Sequence, residues 1–136
     1  MARLLVGAGL AAALAFPACA SVEKAIVAEP GVNFTLGLGK TASISGTTNR
    51  LTFRRVSEDS RCPTTVVCVW EGAARIEVAL SRNGAAGATA ILSLTPPNNE
   101  ARVGDLVVRF VGLAPYPVGP GPAPREYVAE LAIVKL

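Results

Sequence analysis

"AARIEVALSRNGAAGATAILSLT", residues 73–95, is the stretch whose reading decides the fold. Its first half alternates strictly: Ala74, Ile76, Val78 and Leu80 are apolar, with Arg75, Glu77, Ala79 and Ser81 set between them. A period of two puts the first set on one face of a strand and the second set on the other. "RNGAAG" (82–87) then reads as a hairpin loop, because Asn83-Gly84 readily takes positive φ. "ATAILSLT" (88–95) returns as the partner strand and stops at "PPNNE", where proline cannot continue a hydrogen-bonded ladder. The expected unit is an antiparallel β-hairpin with one face buried.

The same alternation extends in both directions. "VNFTLGL" places Val32, Phe34, Leu36 and Leu38 on one face, "TASIS" places Ala42 and Ile44, and "RLTFRR" places Leu51 and Phe53. "DLVVRFVG" aligns Leu106, Val108 and Phe110, and "REYVAELAIVKL" aligns Tyr127, Ala129, Leu131 and Ile133. No segment carries a 3.6-residue pattern; "VEKAIVAE" (22–29) offers at most one helical turn before Pro30-Gly31. Seven to eight short, half-apolar strands predict an all-β fold. An antiparallel β-sandwich suits one apolar and one polar face per strand, with a small β-barrel as the alternative.

Two segments fall outside this pattern. "APYPVGPGPAP" (114–124) carries five prolines, Pro115 and Pro124 being the outermost, and cannot be an interior strand. It is expected to be a stiff connection crossing between the sheets, or else an exposed binding loop or polyproline ligand. At the other end, Met1 and Arg3 precede the uncharged run "LLVGAGLAAALAF" (4–16), which has the length of a secretory signal core. Cleavage after Ala20 at "Ala18-Cys19-Ala20" predicts a periplasmic or secreted chain; lipidation of Cys19 would instead tether it to the cell envelope. The division expected is a signal peptide over 1–20, a linker over 21–31 and one β domain over 32–136.

Composition narrows the function classes. The 136 residues contain no histidine, only 17% charged residues and a net charge of +3. The cations are scattered, Arg54-Arg55 being the densest point, so a nucleic-acid surface is not expected. No apolar stretch after the leader approaches membrane length.

The chemistry-bearing residues gather in "EDSRCPTTVVCVWEG" (58–72), with Cys62, Cys68 and the single tryptophan, Trp70. A straight strand would hold the two cysteine Cα atoms ~20 Å apart, whereas a disulfide needs about 4.4–6.8 Å. Pairing Cys62 with Cys68 therefore requires "PTTVV" to fold back, and Pro63 helps by fixing φ. A metal site would have to recruit Asp59 and Glu71 to two thiols with no imidazole. A redox site would more naturally show Cys-x-x-Cys at a helix start. The staple reading leads, and no metal or cofactor is expected. If the chain is extended beyond Cys68, Trp70 points to the same side and packs in the core near the disulfide; exposed, it would anchor a partner. Asp59-Ser60-Arg61 reads as a turn in which Asp59 either caps backbone N–H groups or pairs with Arg61. Ser60 has no histidine to activate it. Asp59, Arg61, Trp70 and Tyr116 form the candidate interaction surface.

This segment resembles an Asp-Ser-Arg-Cys-Pro-x4-Cys-x-Trp-x-Gly signature of an uncharacterised family of bacterial exported proteins and lipoproteins. The later "APYP" and "REYVAEL" are also similar to the closing part of those proteins, and the resemblance covers residues 34–136. It implies export and a β-rich fold, and supplies no catalytic residues. The expectation is a non-catalytic, exported cell-envelope domain that binds an unknown protein or envelope component or serves a structural role. A loop-mediated inhibitor of a protease or other exported enzyme is the alternative, through the cysteine loop or Pro115–Pro124. An enzyme built on paired carboxylates, Asp59 with Glu71, is the third class.

Overall fold

The computed structural model describes residues 24–119, 121 and 123–136. The signal peptide read at 1–20, including Cys19, lies outside the described residues. Nine strands follow in order: β1 (Ile26–Ala28), β2 (Asn33–Gly37), β3 (Thr41–Ile44), β4 (Arg50–Asp59), β5 (Ala74–Arg82), β6 (Ala85–Ser93), β7 (Glu100–Val103), β8 (Leu106–Ala114) and β9 (Val128–Lys135). They form two sheets, β1-β3-β4-β5-β6 and β2-β9-β8-β7. All neighbours are antiparallel except β1 and β3. The fold is an all-β, two-sheet arrangement consistent with a β-sandwich and not closed into a barrel.

The alternation forms the core as anticipated, except that Val32, set in line with Phe34 and Leu36, precedes β2 and is exposed. Ala74, Ile76, Val78 and Leu80 of β5 are buried, and across the sandwich so are Leu106, Val108 and Phe110 of β8 and Ala129, Leu131 and Ile133 of β9. Phe53 and Phe110 are the largest of the fully buried side chains. Removing such apolar area from water is the main force holding two sheets face to face. The β5–β6 turn is tighter than expected: Asn83 and Gly84 take φ of 50° and 77°, the signature of a two-residue primed turn. Ala85 to Gly87, assigned above to the loop, therefore already belong to β6.

Three expectations are corrected. The linker and helical turn expected before residue 31 contain β1, whose residues pair in parallel with Ala42 to Ile44 and whose Ala28 is fully buried. Three residues carry too little pattern to announce a strand. The proline-rich segment does not cross between sheets: it joins β8 to β9, which pair directly in one sheet. And β4 runs on to Asp59, well past the point where its alternation fails.

That failure has a geometric cause. β4 pairs Leu51, Phe53, Val56 and Asp59 with Leu80, Val78, Ile76 and Ala74, all buried on β5, with register shifts between Phe53 and Arg55 and between Val56 and Glu58. Directly opposed residues share a face. The inward positions of β4 are therefore spaced two, three and three residues apart, because each bulge inserts one extra residue. The first bulge leaves both Arg54 and Arg55 in solvent beside Glu77 and turns Val56 toward the core.

Plain alternation from Phe53 would bury Ser57 and expose Val56; the bulged register requires the reverse. Val56 is half-buried against the core, so Val56→Asp should lower unfolding free energy by about 1–2 kcal/mol through a partly desolvated, unpaired carboxylate, whereas Ser57→Asp should stay within ~0.5 kcal/mol. Urea denaturation of the two variants measures this, and equal costs would reject the register.

Candidate functional site

The site is the end of the sandwich where β4 leaves one sheet and β8 leaves the other. The second bulge of β4 restores an inward direction at Asp59, so a carboxylate faces the end of an apolar core. It is neutralised at once by its own chain: Arg61 Nε donates to Asp59 Oδ1 at 2.7 Å and Arg61 Nη2 to Oδ2 at 2.9 Å. The hydroxyl of Tyr127, just before β9, donates to Oδ2 at 2.9 Å. The remaining guanidinium donors reach the other sheet, with Nη1 to the Leu113 carbonyl at 2.7 Å and Nη2 to the Pro115 carbonyl at 3.0 Å. The Tyr116 ring lies 4.8 Å from the Arg61 guanidinium carbon. Only 8% of the Asp59 side chain and 7% of the Arg61 side chain reach solvent. Asp59 and Arg61, expected on the interaction surface, are thus an internal brace between the two sheets.

Burial pushes the Asp59 carboxyl upward, but the hydrogen bonds from Arg61 and Tyr127 and the adjacent positive charge outweigh it, leaving its pKa below the ordinary value. Arg61 is raised, chiefly by its hydrogen bonds to Asp59. Tyr127 is raised by burial and by donating to Asp59.

Beyond this brace the chain leaves as a loop with a pinched neck. Ser60 N–H donates to the Ala73 carbonyl at 2.8 Å, and Ala73 N–H donates to Ser60 Oγ at 3.0 Å. Ser60 Oγ donates to Glu58 Oε1 at 2.9 Å. A Cβ on Gly72 would stand 1.5 Å from the Ser60 carbonyl oxygen, so the neck closes only around glycine. Within the loop, Cys62 and Cys68 form a disulfide with their Cα atoms 5.9 Å apart, after a turn in which Val66 N–H donates to the Pro63 carbonyl. The loop is also tied sideways to the proline-rich segment, through Thr64 N–H to the Pro117 carbonyl and Thr65 Oγ1 to the Val118 carbonyl.

The outcome for Trp70 overturns the core expectation: it is 84% exposed. Trp70 would follow Cys68 inward only along an extended chain, but residues 69 and 70 bend and every residue from 64 to 71 is exposed. Its neighbours share this exposure, Val67 at 101% and Val69 at 91%, while Tyr116 and Val118 stand exposed on the adjoining segment. Of the four residues expected at an interaction surface, Trp70 and Tyr116 are accessible. Val67 and Val69 were missed, because valine at strand-like spacing reads as core.

A cleft of 440 Å³ separates the loop base from the proline-rich segment, lined by Pro63, Tyr116, Pro124 and Tyr127 among others, with Asp59 and Arg61. Its charges already satisfy one another. Glu71 is exposed on the loop, and Asp59 has both oxygens engaged. Among the described residues no three His, Cys, Asp or Glu side chains gather closely enough to hold a metal ion, and no helix is long and apolar enough to cross a membrane. No protein-family model matches the chain, and neither a curated protein nor a solved structure matches it.

Asp59→Asn should destabilise the fold by about 3 kcal/mol, because it leaves Arg61 buried opposite a neutral amide. The depressed Asp59 pKa means its contribution is complete above the ordinary carboxylate value and is lost as pH falls through the lowered folded value. The raised Tyr127 pKa means its contribution is complete below the ordinary phenol value and is lost as pH rises through the raised one. Urea midpoints against pH should show both limbs in the native chain, and Asp59→Asn should flatten the acid one. The disulfide closes a short loop, so Cys62→Ser with Cys68→Ser should cost about 2–2.5 kcal/mol by the chain-entropy argument, measured by thermal unfolding.

Proposed function

We propose that this chain is an exported, non-catalytic binding module of the cell envelope, and that the disulfide-closed loop is its recognition element. The observation that carries the reading is the exposure of Val67, Val69 and Trp70 together on a loop whose neck and flank are locked. Exposed single apolar residues are ordinary, but three within four positions on a rigid projection favour a contact surface. Burying the ~200 Å² of a tryptophan at about 25 cal/mol per Å² is worth roughly 5 kcal/mol. A stapled loop loses little further conformational entropy on docking. Export is supported by the disulfide, which persists in oxidising compartments, and by the leader-like run at residues 4–16; lipidation at Cys19 remains the alternative anchor. Against catalysis stand the engagement of Ser60 in the neck and of Asp59 in the brace.

A convex, braced loop also suits an enzyme cleft, which keeps inhibition of an exported protease as the second reading. Photo-crosslinking residues placed at 67 and 70, with Arg54 on the outer sheet face as the control position, test the recognition surface in the producing cell. Discrete adducts are expected from positions 67 and 70 and not from 54, falling at least about tenfold when the untagged tip position is changed by Trp70→Ala or Val67→Ser. No adduct above the control, or adducts indifferent to those substitutions, would remove the loop from recognition. Digestion of the adduct partner's substrate, with and without the purified chain, separates an inhibitor from a plain binder.

A further inference from the structure

Two open sheets leave four edges, and three of them are blunted. β1 has three residues; β7 has four, of which Glu100 and Arg102 are charged; β2 has five, held between the turns at 29–32 and 37–40. β6 is different. It has nine residues, "AAGATAILS", with no charge and no proline, and Ala85 through Thr89 are exposed. Natural sheets protect long edges with charge, proline, shortness, a bulge or cover; β6 has one bulge next to its turn, between the Ala85 and Ala88 pairings, and from Ala88 onward no charge, no proline and no further register shift.

Its outward backbone groups can be identified. Leu94 N–H turns inward to the Ala74 carbonyl of β5, whereas Ser93 N–H turns outward to the Asn98 carbonyl. In an antiparallel ladder the direction alternates residue by residue. Ile91 and Thr89 therefore turn their N–H and C=O groups away from β5, and no strand among the described residues is hydrogen-bonded to β6 on that side, although β7 of the other sheet comes near it. The Ile91 side chain is itself 57% exposed.

We infer that β6 is a self-association edge: two copies of this chain pair β6 against β6, antiparallel about a two-fold axis, joining two five-stranded sheets into one. A second copy fits this edge for reasons carried by its residues. Antiparallel pairing of a strand with itself is self-complementary, so each outward donor meets an acceptor without requiring a different sequence. The absence of charge on β6 means that the dyad opposes no like charges. Beyond the bulge, Ala88, Thr89 and Ala90 carry only small side chains, so nothing bulky stands beside two backbones at the ~4.8 Å spacing of a sheet. The dimer has a definite shape as well. Ser93 lies at the stapled-loop end of the sandwich and Asn83-Gly84 at the other, so an antiparallel dyad points the two Trp70 loops in opposite directions.

Sedimentation velocity of the full chain, oxidised, from low micromolar to submillimolar concentration tests the edge. The expected result is a reversible monomer–dimer equilibrium. Thr89→Pro removes an outward N–H without touching the β5 ladder, and Ile91→Lys places a like charge on both sides of the dyad. Each should weaken association at least about tenfold, since two-fold symmetry makes every loss count twice. Trp70→Ala should leave association unchanged, which separates this edge from the loop. Near-ultraviolet circular dichroism checks that the variants stay folded; should Thr89→Pro fail there, Ile91→Lys carries the test. A native chain monomeric throughout the range, or dimers indifferent to the folded edge variants, overturns the inference.

Discussion

One guanidinium ties together the end of the sandwich that carries the disulfide loop. Arg61 neutralises a carboxylate from the last residue of β4 and at the same time donates to the Leu113 and Pro115 carbonyls where β8 ends. Those partners belong to different sheets. The apolar core supplies most of the attraction between sheets, but that attraction is non-directional. The planar fork of Arg61 adds direction, because its donors are satisfied only when the two sheet ends hold one spacing and orientation. Asp59 and Tyr127 complete the arrangement, and among the described residues no buried side-chain nitrogen or oxygen lacks a hydrogen-bond partner.

The loop depends on this brace. Ser60 and Gly72 close its neck directly beside Asp59 and Arg61, and the disulfide and the threonine contacts limit motion farther out. Work at the base is done by charged and polar residues, while the tip presents Val67, Val69 and Trp70 to solvent. A chain that fixes an apolar tip with internal polar contacts has the distribution expected of a preorganised contact surface. The β6 edge lies along the flank of the same sandwich and makes a different demand, through backbone groups instead of side chains.

The sheets are legible in the sequence only as far as particular residues. β5 was legible throughout because its buried positions repeat every second residue; β8 was legible to Phe110, where a bulge moves the next buried position to Leu113, and β9 through Ala129, Leu131 and Ile133. β4 was legible only to Phe53, since two bulges change the spacing to Val56 and Asp59 and the alternation disappears from view. β7 escaped notice as a four-residue strand, although Gly104-Asp105 between Val103 and Leu106 is the kind of two-residue connection that marks a hairpin. In the cluster at 58–72 the staple was legible from spacing, and the Asp59–Arg61 pair was one of two arrangements that the turn allowed. Burial was not: two ionic residues expected outside lie inside, and a tryptophan expected inside lies outside.

The sequence alone determined the local and periodic facts: all-β class, one apolar face per strand, the Asn83-Gly84 turn, and a Cys62–Cys68 pairing that forces its loop to fold back. Each rests on interactions between residues near one another in the chain. Only the tertiary structure decided which face of the cluster meets solvent. Arg61 is buried because Leu113 and Pro115, more than fifty residues away, bring carbonyls to it. Trp70 is exposed because the chain bends at residues 69 and 70 and the loop is tied at its neck and to Pro117 and Val118, with no core residue packed over it. Burial of a polar group is settled by the partners that the fold delivers, and those partners come from the opposite sheet.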